Sequence, residues 1–363
     1  MNDPAPLEIP QPLAGWMARA VLSEASDLHL VVGHPPALRI HGELAAIAEP
    51  VLTAPTLEFL IESICTAETL ARLRAEKDLD LSLEMPIEGQ RWRFRVNLFH
   101  SARQLGVCLR VVPSRIPEFE WAGFPHELAQ KLAFLRDGLV IITGATGSGK
   151  TTTLAMILQL LNQTGGYRII TVEEPVEYVF PKAANSVVTQ REVGTDVLTF
   201  ADGLKYGLRQ DPDVFLVGEI RDQETAQMAM SAAETGHLVF TSLHTRDVKG
   251  AISRYADLFS QDVQKEIRGQ LALSLRAIVS QRLLPALEKG AKRHLALEVL
   301  WNTYPIASAI RQGKLDSIDN YLLTGRNEGM LSIDESLRQL LRAGKISREV
   351  AEQNIRDPSM LTR

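Results

Sequence analysis

Apolar and polar positions change period along this chain, and the changes separate two differently built halves. Near the start, Leu13, Trp16, Met17, Ala20 and Val21 recur at helical spacing and predict an amphipathic helix. Asp27-Leu-His-Leu-Val-Val32 then alternates, and Ala37-Leu-Arg-Ile-His41 runs into Gly42. The two read as strands joined by a Gly-His-Pro-Pro turn. Helical spacing returns over Pro55 to Glu76. The sharpest alternation is Arg91-Trp-Arg-Phe-Arg-Val-Asn-Leu-Phe99, with Trp92, Phe94, Val96 and Leu98 on one side and Arg91, Arg93, Arg95 and Asn97 on the other. A further strand, Leu105 to Val112, carries Arg110 on its polar side. Together they predict an antiparallel sheet with one apolar face and one arginine-bearing face. The arginines either coat a solvated face or reach a phosphate bound elsewhere, as an arginine finger does in trans.

Pro113, Pro117 and Pro125 punctuate a stretch without periodicity, which suits a semi-rigid linker. Beyond it, apolar runs alternate with helical stretches, the pattern of a parallel sheet covered by helices. Candidate strands are Leu139–Thr143, Arg168–Val172, Val214–Val217 and His237–Thr241. Leu154, Ile157, Leu158 and Leu161 mark a helix that stops at Gly165-Gly166. The chain is expected to end in helices. One runs from Gln264 to Arg282 on Ile267, Leu271, Leu275, Ile278 and Val279; another opens at the capping box Ser332-Ile-Asp-Glu335. The fold class is therefore α/β. The expected divisions are an α+β domain over 1–112, a linker over 113–124, a nucleotide-binding domain over 125–300 and a helical region over 301–363.

Composition narrows the partners. Hydrophobic residues are 45% and charged residues 23% of 363, an ordinary globular balance. A formal net charge of −5 argues against bulk binding to nucleic acid, where a basic stripe is expected. Cys65 and Cys108 are the two cysteines and suggest neither a zinc site nor a disulfide framework. The opening, Met-Asn-Asp-Pro-Ala-Pro-Leu-Glu-Ile-Pro10, lacks the basic and apolar regions of a signal peptide. No apolar run approaches the roughly 18–20 residues of a membrane span. The expectation is a cytoplasmic protein without direct membrane insertion.

The candidate chemistry begins at Gly144-Ala145-Thr146-Gly147-Ser148-Gly149-Lys150-Thr151, directly after the apolar run Leu139–Thr143. It fits the P-loop pattern G-x-x-x-x-G-K-[ST] between a strand and a helix, and Thr152 continues into that helix. Glycines let the backbone wrap an anion while N–H groups and the helix N-terminus point at the phosphates. Lys150 would reach the β- and γ-phosphates of ATP, and the Thr151 hydroxyl would hold Mg²⁺. Val214-Phe-Leu-Val217 followed by Gly218-Glu219 has the form of a Walker B strand, and Ile169-Ile-Thr-Val172 delivers Glu173-Glu174 near the same edge. Hydrolysis needs one carboxylate on the metal and another on water. Each glutamate taken alone could equally be a helix cap or a surface charge. His237 and His244 bracket a strand with a separation that suits joint metal binding poorly. Arg209 and Arg221 read as phosphate sensors or as ion-pair partners.

In order, these residues resemble the PilT/PilU group of secretion ATPases, motors of type IV pili. Ala25-Ser-Asp-Leu-His-Leu30, Pro35-Pro36, Arg39 and Gly42 are similar to the opening of that family's PAS-like domain, and Arg91–Asn97 to its central strand. Thr171-Val-Glu-Glu-Pro-Val-Glu177 resembles the "Asp box", with Glu174 where the family usually has aspartate. Asp211 to Asp222 resembles its Walker B, with a glycine at the usual aspartate position, and Thr235 to Thr245 its "His box". The resemblance implies a PAS-like domain, a RecA-like P-loop ATPase domain with a parallel sheet and a C-terminal helical appendage. It implies a homohexamer driving pilus retraction and twitching motility, docked through an inner-membrane platform protein, with a paralogous retraction ATPase as a further partner. Glu173 is implied to activate water, Glu219 to serve the metal with Thr151, and His244 to couple nucleotide state to movement. Arg95 and Arg110 match the arginines that the family places over a neighbour's nucleotide. Retraction motors carry Ala-Ile-Arg-Asn-Leu-Ile-Arg near the C-terminus. Pro305-Ile-Ala-Ser-Ala-Ile-Arg311 stands here instead, which keeps an accessory PilU-like role open. Pilus-assembly and type II secretion relatives, the remaining alternative, usually add a cysteine-rich zinc insertion.

Overall fold

The computed structural model describes residues 9–112, 115–288 and 290–361. The Pro-rich opening through Glu8, and Pro113 and Ser114 of the expected linker, lie outside the described residues. Contacts divide the chain into two units, the first ending at Ser114 and taking in Gly290–Lys292, the second starting at Arg115.

The first unit opens with α1 (Gln11–Leu22), β1 (Ala25–Val31), β2 (Ala37–Ile40) and β3 (Glu43–Ala46). Then follow α2 (Ala54–Ile64), α3 (Ala67–Glu76), β4 (Asp78–Ile87), β5 (Gln90–Ser101) and β6 (Gln104–Val112). The helical stretch expected over Pro55 to Glu76 is made of two helices. Thr66 starts the second by accepting a hydrogen bond from the Thr69 N–H, an N-cap that outcompetes continuation of α2. The strands form one antiparallel sheet in the order β3-β2-β1-β6-β5-β4. Leu28, Phe94, Val96, Leu98 and Leu109 of its apolar face pack with Trp16, Met17, Leu57 and Ile61 from the helices. On the other face, pairing sets Arg39, Asp27, Arg110, Arg95 and Ser82 in one row across five strands.

The second unit begins with α4 (Phe119–Ala122), one helical turn inside the expected linker, and α5 (His126–Ala133). Next come β7 (Gly138–Gly144), α6 (Lys150–Thr164), β8 (Arg168–Glu173), β9 (Val187–Glu192), α7 (Phe200–Gly207) and β10 (Val214–Val217). They are followed by α8 (Gln223–Glu234), β11 (Leu238–Leu243), α9 (Val248–Ala256), α10 (Gln264–Ser274), β12 (Leu275–Leu284) and β13 (His294–Trp301). Short helices close it: α11 (Tyr304–Gln312), α12 (Ile318–Thr324), α13 (Ile333–Arg342) and α14 (Arg348–Asn354). The sheet order is β13-β12-β7-β11-β10-β8-β9, parallel except for the β12–β13 pair. Such strands are apolar on both faces because helices cover both. Leu139, Ile141, Phe215 and Val239 enter one cluster with α8 and α9, while Val140, Ile142, Leu216 and Phe240 enter another with α5 and α6.

The helix expected over Gln264 to Arg282 is corrected. It ends at Ser274, and Leu275–Leu284 is strand β12, paired with β7 and β13. Ile278 and Val279 satisfy helical spacing with Leu271 and Leu275, yet they point into opposite cores. Both should therefore be costly to truncate. Ile278→Ala is expected to lose about 2–5 kcal/mol, and Val279→Ala somewhat less, in denaturant unfolding. Neutrality at either position would be the behaviour of a one-faced helix.

Candidate nucleotide site

Ligands of open α/β sheets bind beyond the C-terminal strand ends. In the second unit β7 ends at the phosphate loop, β8 at Glu173, β10 just before Gly218-Glu219 and β11 just before His244. All seven residues of β7 are buried, so the loop springs from a fixed base. Gly147 and Gly149 have φ of 74° and 90°, backbone that side chains other than glycine rarely adopt. The Ser148 hydroxyl is buried with no hydrogen-bond partner among the described residues. An orphaned polar group inside this loop fits an anion-binding cradle.

Lys150 is 7% exposed. Its Nζ donates to the carbonyls of Gly144 at 3.0 Å and Ala145 at 3.1 Å, and lies 3.4 Å from His244 Nδ1. Burial pulls its pKa below the usual lysine range, while the charges of Glu219 and Glu177 act in the opposite sense. His244 Nε2 is 3.2 Å from Glu219 Oε2, and Arg221 pairs with the other oxygen of Glu219. Arg221 also reaches Glu174 at 2.9 Å, so it is an ion-pair partner bridging two acidic strand ends. Lys150, Glu219 and His244 thus form one connected group. Thr151 and Thr152 lie in the first turn of α6, and the Thr152 hydroxyl meets the Tyr178 hydroxyl at 2.9 Å.

Glu173 is 5% exposed. Burial pushes its carboxyl above the ordinary range, although Thr171, Gln190 and the Glu177 backbone N–H all hydrogen-bond to it. A buried carboxyl raised in this way is suited to accept a proton. Gly218 keeps β10 close to this strand. A Cβ there would stand 3.3 Å from the Val172 carbonyl oxygen and 3.4 Å from Glu173 Cα.

His237 sits at the other end of β11 from His244, with Nδ1 3.0 Å from the Ala232 oxygen and its ring beside Phe215. The Arg209 residue is exposed. Arg95 and Arg110 lie in the first unit, directly opposite each other on β5 and β6. Each meets a carboxylate: Arg95 meets Asp80 at 3.4 Å, and Arg110 meets the nearly buried Asp27 at 2.9 Å.

Some contributors were not anticipated. The Thr143 hydroxyl binds the Leu243 carbonyl, the Thr245 carbonyl and the Thr245 hydroxyl, and accepts from the Thr245 N–H at 3.0 Å. It ties the end of β7 to the turn carrying His244. Tyr178 and Gln190 were also missed. Gln190 lies on β9, whose run Val187-Val-Thr-Gln-Arg-Glu192 lacks clean apolar alternation, and Tyr178 lies in the connection between β8 and β9, where it meets Gln190 through its carbonyl.

Comparison with known proteins fits this geometry. Residues 5–358 match the family described as "Type II/IV secretion system protein". The chain belongs to that family. It is 38% identical over 334 residues to the type IV pilus retraction ATPase PilT of Pseudomonas aeruginosa, covering 92% of this chain and 95% of the relative. A crystal structure of the pilus retraction motor PilT with bound ADP superposes with a TM-score of 0.81 at 38% identity, covering 97% of this chain and 99% of that one. The ATPase DotB of Legionella pneumophila gives a TM-score of 0.85 at 28% identity, with 97% of each chain covered. The family member in hand thus has the α/β fold expected of it, with a helical C-terminal portion. Among the described residues no helix is long and apolar enough to cross a membrane.

Thr143→Val keeps the shape but leaves the Thr245 N–H without its partner. A loss of about 1–3 kcal/mol is expected in unfolding measurements.

Proposed function

We propose that this chain is an ATP-hydrolysing motor subunit that works in type IV pilus retraction. The reading is carried by the joining of Lys150, Glu219 and His244 at the parallel-sheet edge of a chain 38% identical to a pilus retraction ATPase. Backbone N–H groups of Gly144–Gly149 and Lys150 hold the phosphates, and Glu173 orients and deprotonates water. The site fits Mg²⁺, because this ion takes one or two protein oxygens and fills its shell with phosphate and water. Thr151 and Glu219 would hold it, directly or through water. When bound, it neutralises charge on the β- and γ-phosphate oxygens. His244, shared between Lys150 and Glu219, reports whether phosphate occupies the loop, and the Thr143–Thr245 bonds pass that state to the strand edge.

The working form is a homohexamer in the cytoplasm, docked at the inner membrane through a platform protein without inserting into it, and it takes no nucleic acid partner. Arg95 and Arg110 of one copy serve the nucleotide of the next. Two further readings have an observation behind them. Ala307 and Ser308, in place of the arginine and asparagine of the retraction signature, favour a PilU-like accessory role beside a paralogous motor. Membership of a family described as "Type II/IV secretion system protein" keeps a pilus-assembly or type II secretion ATPase in view.

Purified hexamer should hydrolyse ATP. Lys150→Ala or Glu219→Ala should lower turnover by about 100-fold or more, and neither allele should restore twitching to a strain lacking the gene. Intact turnover in either variant contradicts the site assignment. Arg95→Ala should assemble yet turn over slowly, and full activity in assembled rings removes its finger role.

A further inference from the structure

Gln190 makes three hydrogen bonds with its single side-chain amide. Its Oε1 accepts from the Phe180 N–H at 3.0 Å, while its Nε2 donates to the Tyr178 carbonyl at 2.7 Å and to Glu173 Oε1 at 3.1 Å. The two backbone partners fix the orientation of the amide. A main-chain N–H must meet the oxygen and a main-chain carbonyl must meet the nitrogen, so a flipped amide would lose both. The remaining hydrogen of Nε2 is thereby aimed at Glu173. Thr171 is the register partner of Gln190 across β8 and β9, and its hydroxyl donates to the same Glu173 oxygen at 2.7 Å. The residue that supplies the Gln190 carbonyl contact, Tyr178, also meets Thr152 on the helix after the phosphate loop.

We propose that Gln190 is the positioning residue for Glu173, holding its carboxylate in one orientation and tying it to α6 through Tyr178. The inference rests on Glu173 being the group that activates water. A carboxylate free to rotate in its pocket would meet water in the productive geometry only part of the time, and small misplacements cost rate steeply. Gln190 itself touches no reacting atom in this account.

The Gln190 bond also favours the ionised carboxylate, against the burial that raises its pKa. Glu177 is the charged neighbour acting directly on Glu173, and it raises the carboxyl further. Glu192, opposite Glu173 on β9, accepts from the Val176 N–H. Glu219 on the β10 side is engaged by His244 and Arg221, and Lys150 on α6 by loop carbonyls. Removing the Gln190 donor therefore moves the Glu173 pKa upward, and the acid limb of the rate profile moves to higher pH with it.

The test is steady-state ATP turnover of the full-length protein against pH, with ADP binding as the check that each variant is folded. Gln190→Glu keeps the shape and the Phe180 contact but loses the donor and adds a like charge. Gln190→Met, uncharged and of similar length, carries the test should the first variant fold poorly. Both should bind ADP as wild type does, keep KM for ATP, and lose roughly 10- to 100-fold in kcat. The acid limb should shift upward, further in Gln190→Glu. A fall in kcat with the limb unmoved, or an unchanged kcat, overturns the positioning role. Glu173→Gln separates the two levels of the argument. If it turns over ATP normally, the reading of Glu173 fails; if it is inactive while the Gln190 variants keep the wild-type limb, only the inference fails.

Discussion

The arrangement of the second unit depends on one constraint, the parallel pairing of β7 between β11 and β12. Parallel strands need crossover connections, and helices on both faces bury them completely. That burial makes β7 a fixed platform, and it puts successive strand ends along one edge. The phosphate loop, Glu173, Glu219 and His244 come from sequence segments far apart and share that edge because every strand between them runs the same way. An antiparallel strand inserted there would move its ligand-bearing end to the opposite edge of the sheet.

Within the site, polar groups are satisfied in a graded fashion. Glu219 is shared by His244 and Arg221, and Lys150 is held by two main-chain carbonyls as well as approached by His244. The Ser148 hydroxyl is the contrast, buried inside the loop with no hydrogen-bond partner among the described residues. The site therefore combines rigidly placed charges with a lining that has hydrogen-bonding capacity left for a ligand. The first unit organises charge differently. Its polar sheet face strings acid and base across strands, so the repulsion of Arg95 and Arg110, directly opposed, is moderated by Asp80 and Asp27.

How much of this was legible in the sequence depended on how local each signal was. The phosphate loop is eight consecutive residues between an apolar run and a helix, and its glycines, lysine and threonine announce it without tertiary information. The strand carrying Arg91 to Phe99 was legible because only one face is buried, which leaves a clean two-residue period. Strand β12 was misread for the converse reason. Buried on both faces, it has no alternation to show, and its apolar positions happen to continue the spacing of α10. Strand β4 was overlooked although Leu79, Leu81 and Leu83 alternate, since Asp78, Asp80 and Glu84 give the segment a polar look. Gln190 was illegible for a different reason. Nothing about a glutamine in a mixed edge strand indicates that register sets it beside Thr171 and within reach of Glu173. The Thr143–Thr245 tie likewise spans 102 positions and exists only once β7 and β11 pair.

The central claim is mechanical: ATP hydrolysis at this site withdraws pili. Its most direct test is the number of surface pili, scored together with twitching motility, in a clean deletion of the gene. The account predicts excess surface pili and lost motility. Absence of surface pili would contradict it, because that is the phenotype of a motor that extends the fibre.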